Sequence, residues 1–421
     1  MNIEKIEIKN FKGIEQLDIN FSKRFNLIIG NNGFGKTSIL DAIATVLGGF
    51  VSGIDGVYGR HINNNEVRIE TKTLGDASYN VEYKVPVELT ATADFRGHLY
   101  TWTRRKSSYK ASRSTIEPRD IAYLSRELIK DSTSIMPVIS YQGAGRMWTE
   151  GREHKTSKKN DLSRYGAYVG SLWPKSNTKK FIKWCAKMEQ ISWSEDRRIM
   201  EYEVVKDAVM TFMSEMNDSS VTKIFYSKKE EELVYEENGT RISINLLSSG
   251  YQALIWMAFD IAYRMAVLNP ELRENITQET TGIILIDEID VHLHPRWQWK
   301  IINALMKTFP KVQFIATTHS PIVLASSSET KVIRINENHQ ISYEKSSYGI
   351  PIEDVLTAYQ QTEKVPKEVK KNIELFSSHL SNKHITEAEL ALRELELLLG
   401  SNNPIVVSAE MELEFEKIEL D

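Results

Sequence analysis

Residues 30–37 read Gly30-Asn31-Asn32-Gly33-Phe34-Gly35-Lys36-Thr37, a complete G-x-x-x-x-G-K-[ST] phosphate loop. The apolar run Phe25-Asn26-Leu27-Ile28-Ile29 precedes it, and Ser38-Ile39-Leu40-Asp41-Ala42-Ile43 follows. A loop of this kind leaves the end of a strand and enters the first turn of a helix, so it commits the chain to an α/β architecture around a parallel sheet. Its glycines let successive backbone N–H groups turn inward toward phosphate oxygens. The helix N-terminus adds partial positive charge, Lys36 reaches β/γ-phosphates, and the Thr37 hydroxyl is placed to ligate Mg²⁺. The pattern implies a bound nucleoside triphosphate.

With 421 residues, the chain is longer than one ordinary domain. Its 41% hydrophobic and 26% charged content is that of a globular protein. A single cysteine, Cys185, excludes an intrachain disulfide and a cysteine-based zinc site, and it suits a reducing compartment. No apolar run approaches the roughly 20 residues of a membrane helix. The opening Met1-Asn2-Ile3-Glu4-Lys5-Ile6-Glu7-Ile8 alternates as a strand does and lacks a signal peptide's apolar region, so a cytoplasmic location with no membrane partner is expected.

The net charge of −4 is unevenly spread. Residues 96–183 hold 19 Lys/Arg against 7 Asp/Glu, whereas residues 351–421 hold 7 against 15. The basic middle and acidic tail are either two surfaces with different partners, nucleic acid among them, or two solvated faces with none.

Hydrophobic spacing divides the chain into four stretches. Residues 1–150 carry short strands, the phosphate loop and a helix expected to stop at Gly48-Gly49. Arg104 to Ser114 reads as a basic loop, and Met136 to Tyr141 as a buried strand leading into Gln142. Residues 151–220 form a helical lobe, with a polar loop at 150–163 and then two helices from Thr178 to Met216. Residues 221–350 begin with a hairpin turning at Glu237-Asn238-Gly239 and continue with an apolar helix over 250–268. Two continuous apolar strands follow, Gly282 to Ile286 and Val312 to Thr318. Residues 351–421 are a helical extension, with amphipathic helices from Pro366 to Leu380 and from a capping box at Thr386-Glu387-Ala388-Glu389 to Gly400.

The first apolar strand ends in Asp287-Glu288. The carboxyl ends of strands are where open α/β sheets bind ligands. An Asp there can hold Mg²⁺, and the next Glu can polarise the water that attacks a γ-phosphate. Leu247-Ser248-Ser249-Gly250-Tyr251-Gln252, with Gly250 37 residues before Asp287, opens a helix and reads either as a plain helix cap or as a second anion site without a lysine. His292 and His294 stand two residues apart, and no third ligand completes a zinc site.

With these motifs in this order, the chain resembles the ABC-type ATPase heads of the RecF/SMC class over nearly its whole length. Ile6-Glu7-Ile8-Lys9-Asn10-Phe11-Lys12-Gly13 is similar to that class's opening strand. The resemblance implies a P-loop NTPase fold with ATP and Mg²⁺ bound. Gly30 to Ser38 corresponds to Walker A, and Ile283 to Glu288 to Walker B, with Glu288 as the catalytic base. Ser248-Ser249-Gly250 corresponds to the signature loop, which caps the γ-phosphate held by an opposite subunit. His319 corresponds to the switch histidine, Gln142 to the glutamine that joins Thr37 and Asp287 at the metal, and Lys12 to a basic residue that touches the nucleotide. A homodimer or higher homo-oligomer follows from a signature loop working in trans.

Asp287-Glu288-Ile289-Asp290-Val291-His292-Leu293-His294-Pro295 departs from the SMC pattern. Together with Trp297-Gln298 and Thr318-His319-Ser320-Pro321, it is similar to the stand-alone ATPase subunits of Septu-type antiphage operons, also found beside retrons. Their partner is a separately encoded HNH nuclease, and in retron systems DNA or retron RNA/DNA is a further candidate. The runner-up is a RecF-like DNA-binding ATPase of repair. No heptad run separates Lys36 from the signature, so no long coiled coil is expected. No Toprim or HNH residue set follows His319, so no intrinsic nuclease centre is expected either. The acidic extension covers the ATPase core or docks a partner subunit.

Overall fold

The computed structural model describes residues 1–74, 79–145, 163–174, 178–219, 221–360 and 365–420. The polar stretch expected as a loop at 150–163 lies almost entirely outside them. In chain order the first elements are β1 (Asn2–Phe11), β2 (Ile14–Asn20), β3 (Phe25–Ile29), α1 (Lys36–Val51), β4 (Ile69–Thr73), β5 (Tyr79–Tyr83), β6 (Val87–Phe95), β7 (His98–Lys106), β8 (Thr115–Glu117), α2 (Asp120–Lys130) and β9 (Val138–Gln142). Then come α3 (Thr178–Ser194), α4 (Met200–Asn217), β10 (Val221–Ser227), β11 (Glu232–Glu237), β12 (Thr240–Ser243), α5 (Ser249–Leu268), α6 (Ile276–Glu279) and β13 (Gly282–Ile286). The series continues with α7 (Pro295–Gln298), α8 (Ile301–Thr308), β14 (Val312–Thr317), α9 (Pro321–Ala325), β15 (Thr330–Ile335) and β16 (Ile341–Glu344). Last are α10 (Ile352–Gln360), α11 (Lys367–Ser381), α12 (Ile385–Leu399) and α13 (Pro404–Leu420).

Two compact units result, Met1–Ile350 and Pro351–Asp421. The first is built on a six-stranded sheet of order β16-β15-β3-β14-β13-β9, parallel except for β16. Every residue of β3, β9, β13 and β14 is buried, as the near-continuous apolar runs of these strands require of a sheet covered on both faces. Helix α5 is apolar almost all round and correspondingly buried; its Asp260 accepts a hydrogen bond from Ser140 of β9.

A second, antiparallel sheet of order β2-β1-β6-β7-β8 supplies a β-rich lobe. Two sequence expectations change here. Helix α1 does not stop at Gly48-Gly49 but runs on to Val51. The glycines are there for proximity: a Cβ on Gly49 would lie 2.6 Å from Trp102 Nε1, and one on Gly53 1.9 Å from the Ala122 carbonyl oxygen. The basic loop expected from Arg104 likewise begins later. Trp102, Arg104 and Lys106 alternate inward on β7 and are buried. Arg104 donates to the Thr45 carbonyl of α1, and burial lowers its guanidinium to about 10.

The hairpin expected over 221–246 is a three-stranded meander, β10-β11-β12, in which Asn238-Gly239 joins the last two strands. The second unit has its own apolar cluster, with Val369, Phe376, Ala388, Leu395, Val406 and Leu413 at its centre. Helix α12 starts at Ile385 behind His384, so Thr386 lies inside the helix rather than capping it, and α13 adds a helix that hydrophobic spacing did not mark. Among the described residues no helix exceeds the 20 residues of α5, and none is long and apolar enough to cross a membrane.

Candidate functional site

Three adjacent strands, β3, β14 and β13, run parallel and end at one edge of the central sheet. The phosphate loop leaves β3, His319 follows β14, and Asp287-Glu288 follows β13. Segments some 250 residues apart in sequence are therefore brought together by strand order alone.

The loop turns into α1 at Gly35, whose φ of 91° is a left-handed conformation that glycine adopts without strain. Lys36 is buried, and its ammonium donates to the Gly30 carbonyl at 2.7 Å and the Asn31 carbonyl at 3.1 Å, spanning the mouth of the loop. Burial lowers its pKa, opposed by the nearby carboxylates of Asp287, Glu288 and Asp290. The Thr37 hydroxyl donates to Asp287 at 3.0 Å to Oδ2 and 3.2 Å to Oδ1. Two hard oxygen donors side by side at a phosphate loop fit Mg²⁺, which takes one or two protein ligands and completes its shell with phosphate and water.

Glu288 sits at φ 48°, a left-handed conformation that costs a non-glycine residue energy and that recurs at functional positions. Its backbone N–H donates to Thr317 Oγ1 at 2.7 Å. Asp290 accepts from Thr318 Oγ1 at 2.6 Å and from the His319 backbone N–H at 3.3 Å, tying the turn after β13 to the turn after β14. Half-buried His319 has its pKa lowered by burial first and then by Lys36, against Asp290, Glu288 and Asp287, a shift that favours the neutral imidazole. Thr317 and Asp290 carried no role in the sequence reading; their positions immediately before Thr318-His319 and after Asp287-Glu288 were the available signal.

Lys12 follows β1 and pairs with Asp41 on α1, which also accepts from buried Arg60 at 2.9 Å. Arg60 in turn pairs with buried Glu66 at 2.9 Å. Gln142 ends β9, where its carbonyl accepts from the Asp287 N–H at 2.8 Å. Its side chain turns the other way. Paired residues of neighbouring parallel strands share a face, and Gln142 pairs with Ile286, one residue before Asp287. The Gln142 amide accordingly donates to Ser140 Oγ at 2.8 Å and to Asp260 Oδ2 on α5 at 2.6 Å. Reaching a metal at Thr37 and Asp287 requires that amide to leave Asp260.

Ser248 and Ser249 are exposed at the N-terminus of α5, and no side-chain cap occupies that terminus. Gln252 braces the turn by donating to the Leu247 carbonyl at 2.8 Å. The cavity beside this turn has no phosphate-loop residue on its wall.

The sequence matches the AAA domain family over residues 5–419. The Septu protein PtuA of Bacillus thuringiensis is 24% identical over 415 residues, 96% of this chain and 95% of that one. The "Retron Vc95 probable ATPase" of Vibrio cholerae is 28% identical over 394 residues, 80% of this chain and 74% of that one. Among solved structures, an Smc head bound to the C-winged helix domain of ScpA matches with a TM-score of 0.52 at 18% identity, over 82% of this chain and 98% of that one, a likeness of fold.

Proposed function

We propose that this chain, which belongs to the AAA domain family, is the ATP-binding and ATP-hydrolysing subunit of a bacterial antiphage defence complex. In this reading it is an ABC-type ATPase that works as a homodimer or higher homo-oligomer and controls a separately encoded HNH-type nuclease. The observation that carries the ATPase reading is the convergence of Thr37, Asp287, Glu288 and His319 at the ends of three neighbouring strands. The retron and Septu relatives, similar over most of both chains, support the defence setting.

Each residue then has a task. Backbone N–H groups from Gly30 to Ser38 and the Lys36 ammonium hold the β- and γ-phosphates, and Lys12 lies close to the same helix. Thr37 and Asp287 would hold Mg²⁺, which would supply charge neutralisation at the phosphates. Glu288 takes the proton from the attacking water as the γ-phosphoryl bond breaks, and neutral His319 donates to the phosphate. The Ser248-Ser249-Gly250 turn, with both serines exposed and facing a cavity free of phosphate-loop residues, meets the nucleotide of a second copy.

A RecF-like DNA-binding ATPase is the other reading, and it draws on the basic segment 96–183. Burial of Arg104 and Lys106 removes two of that segment's cations from the surface.

ATP turnover by the wild type, Lys36→Ala and Glu288→Gln, read alongside oligomeric state with and without ATP, tests the proposal. Turnover is expected to fall roughly 10²-fold or more in both variants, with Glu288→Gln retaining ATP and an ATP-dependent assembly. Wild-type turnover in Glu288→Gln, or no assembly change with ATP, contradicts it. Co-purification with the product of the neighbouring gene tests the nuclease partner.

A further inference from the structure

The cavity at the signature turn is about 610 Å³, within the range of ligand clefts. Its wall comes from the end of α4, the β11–β12 turn, the start of α5 and the segment from His292 to Trp297. The last two are built as one piece. A Cβ on Gly250 would lie 2.7 Å from the His292 carbonyl oxygen and 3.0 Å from the Trp297 ring. The Tyr251 and Trp297 rings meet edge-on with centroids 4.8 Å apart, and Trp297 Nε1 donates to Asn217 at 3.1 Å.

Arg296 is the one formal cation among the residues of this wall. Arg296, His292 and His294 are exposed on it, against one carboxylate, Glu237, which accepts from Asn217 at 2.9 Å and from Ser219. Arg296 follows Pro295 in the first turn of α7, and its backbone N–H is held by His294 Nδ1 at 3.3 Å. Among the described residues no carboxylate forms an ion pair with the Arg296 guanidinium. The nearby Asp218 pairs with Lys300 instead.

We infer that Arg296 is the cation that this face presents to the triphosphate bound at the phosphate loop of a second copy, flanked by His292 and His294. The inference rests on the shared-site reading above. Ser248, Ser249 and Gly250 offer hydroxyl and N–H donors but no formal charge. Phosphoryl transfer to water breaks the bond between the γ-phosphorus and the bridging oxygen, leaving negative charge on ADP and phosphate. Lys36 meets that charge from the side of its own loop, and Arg296 meets it from the opposite side with a planar fork of donors that matches phosphate geometry.

Arg296→Ala in the full chain is expected to lower ATP turnover about 10³-fold while leaving ATP affinity at the chain's own phosphate loop unchanged. Arg296→Lys, which keeps the charge without the fork, is expected to fall between. The decisive measurement mixes Arg296→Ala with Lys36→Ala in equal amounts. Each is inactive alone, but about one quarter of the shared sites in the mixture combine two intact halves, so about a quarter of wild-type turnover returns. Ser248→Arg mixed with Lys36→Ala is the parallel measurement for the shared site itself. Rescue in both mixtures supports the assignment. Rescue with Ser248→Arg alone overturns Arg296 and leaves the shared site standing; rescue in neither overturns both. Wild-type turnover by Arg296→Ala overturns the assignment directly.

Discussion

The Thr317 hydroxyl donates to Asp287 Oδ1 at 2.7 Å and accepts the Glu288 backbone N–H at 2.7 Å. One fully buried hydroxyl on β14 therefore fixes both the carboxylate assigned to the metal and the backbone of the residue proposed as the base. Thr317→Val keeps the shape and leaves two polar groups short of a partner, a cost of about 1–3 kcal/mol. Turnover should drop about 10–100-fold, with ATP binding largely retained. Steady-state kinetics beside a nucleotide titration checks this; unchanged turnover would show that Thr317 does not position the site.

Asp260 anchors a buried network on the opposite face. It accepts from Ser140 at 2.6 Å, Gln142 at 2.6 Å and Arg264 at 2.9 Å. Asp260→Asn leaves the Arg264 guanidinium without a countercharge and should cost about 3–5 kcal/mol. Replacing Asp260 and Arg264 together with apolar residues should cost less than the single change. Denaturant unfolding of the three proteins ranks them, and equal losses would contradict the argument.

The glycines of α1 and the turn after it should rank by what they touch. A methyl on Gly53 meets the Ala122 carbonyl oxygen at 1.9 Å, which is backbone. One on Gly49 meets the Trp102 side chain at 2.6 Å, at the nitrogen that donates to the Val46 carbonyl. Gly53→Ala should therefore lose more than Gly49→Ala, the latter about 1–3 kcal/mol. Thermal unfolding decides the order, and the reverse order would refute it.

His61 gives a pH dependence. Burial pushes its pKa down, and Arg104, Arg113 and Lys106 push it further, against a hydrogen bond it donates to the Ser114 backbone. The unfolded chain takes up this proton near pH 6.5 and the folded chain only at lower pH. The unfolded state thus binds more protons in that window, and stability falls as pH drops through about 6.5. His319 shifts in the same direction, so His61→Gln should flatten the slope without abolishing it. Melting temperatures at pH 7.5 and 5.5 test this, and an identical slope in the variant would exclude His61 as a source.

The phosphate loop, the Asp287-Glu288 strand and the His319 strand were legible because each motif is local: an apolar run, then a fixed set of polar residues. What strand order adds was not. Thr317 gains its role only because β14 lies beside β13, a pairing that no spacing within one segment encodes. Gln142 lies at the end of β9, but the face it points to depends on its register against Ile286. Arg104 and Lys106 read as solvated because lone cations usually are; their alternation with Trp102 was the overlooked sign of a strand. Gly48-Gly49 read as a helix stop because glycine weakens helices, yet here tertiary proximity outweighs that local cost.

The clamping of α1 has a mechanical corollary. The helix begins at the residues assigned to the phosphates and ends wedged against Trp102 and the α2 turn, with no room for even a methyl group. Such a rod transmits tilt rather than absorbing it. Helix α1 therefore joins Lys36 to β7, and through it to the five-stranded sheet, by contacts with no slack at Gly49. The phosphate loop and the β-rich lobe are thus two ends of one tightly packed helix.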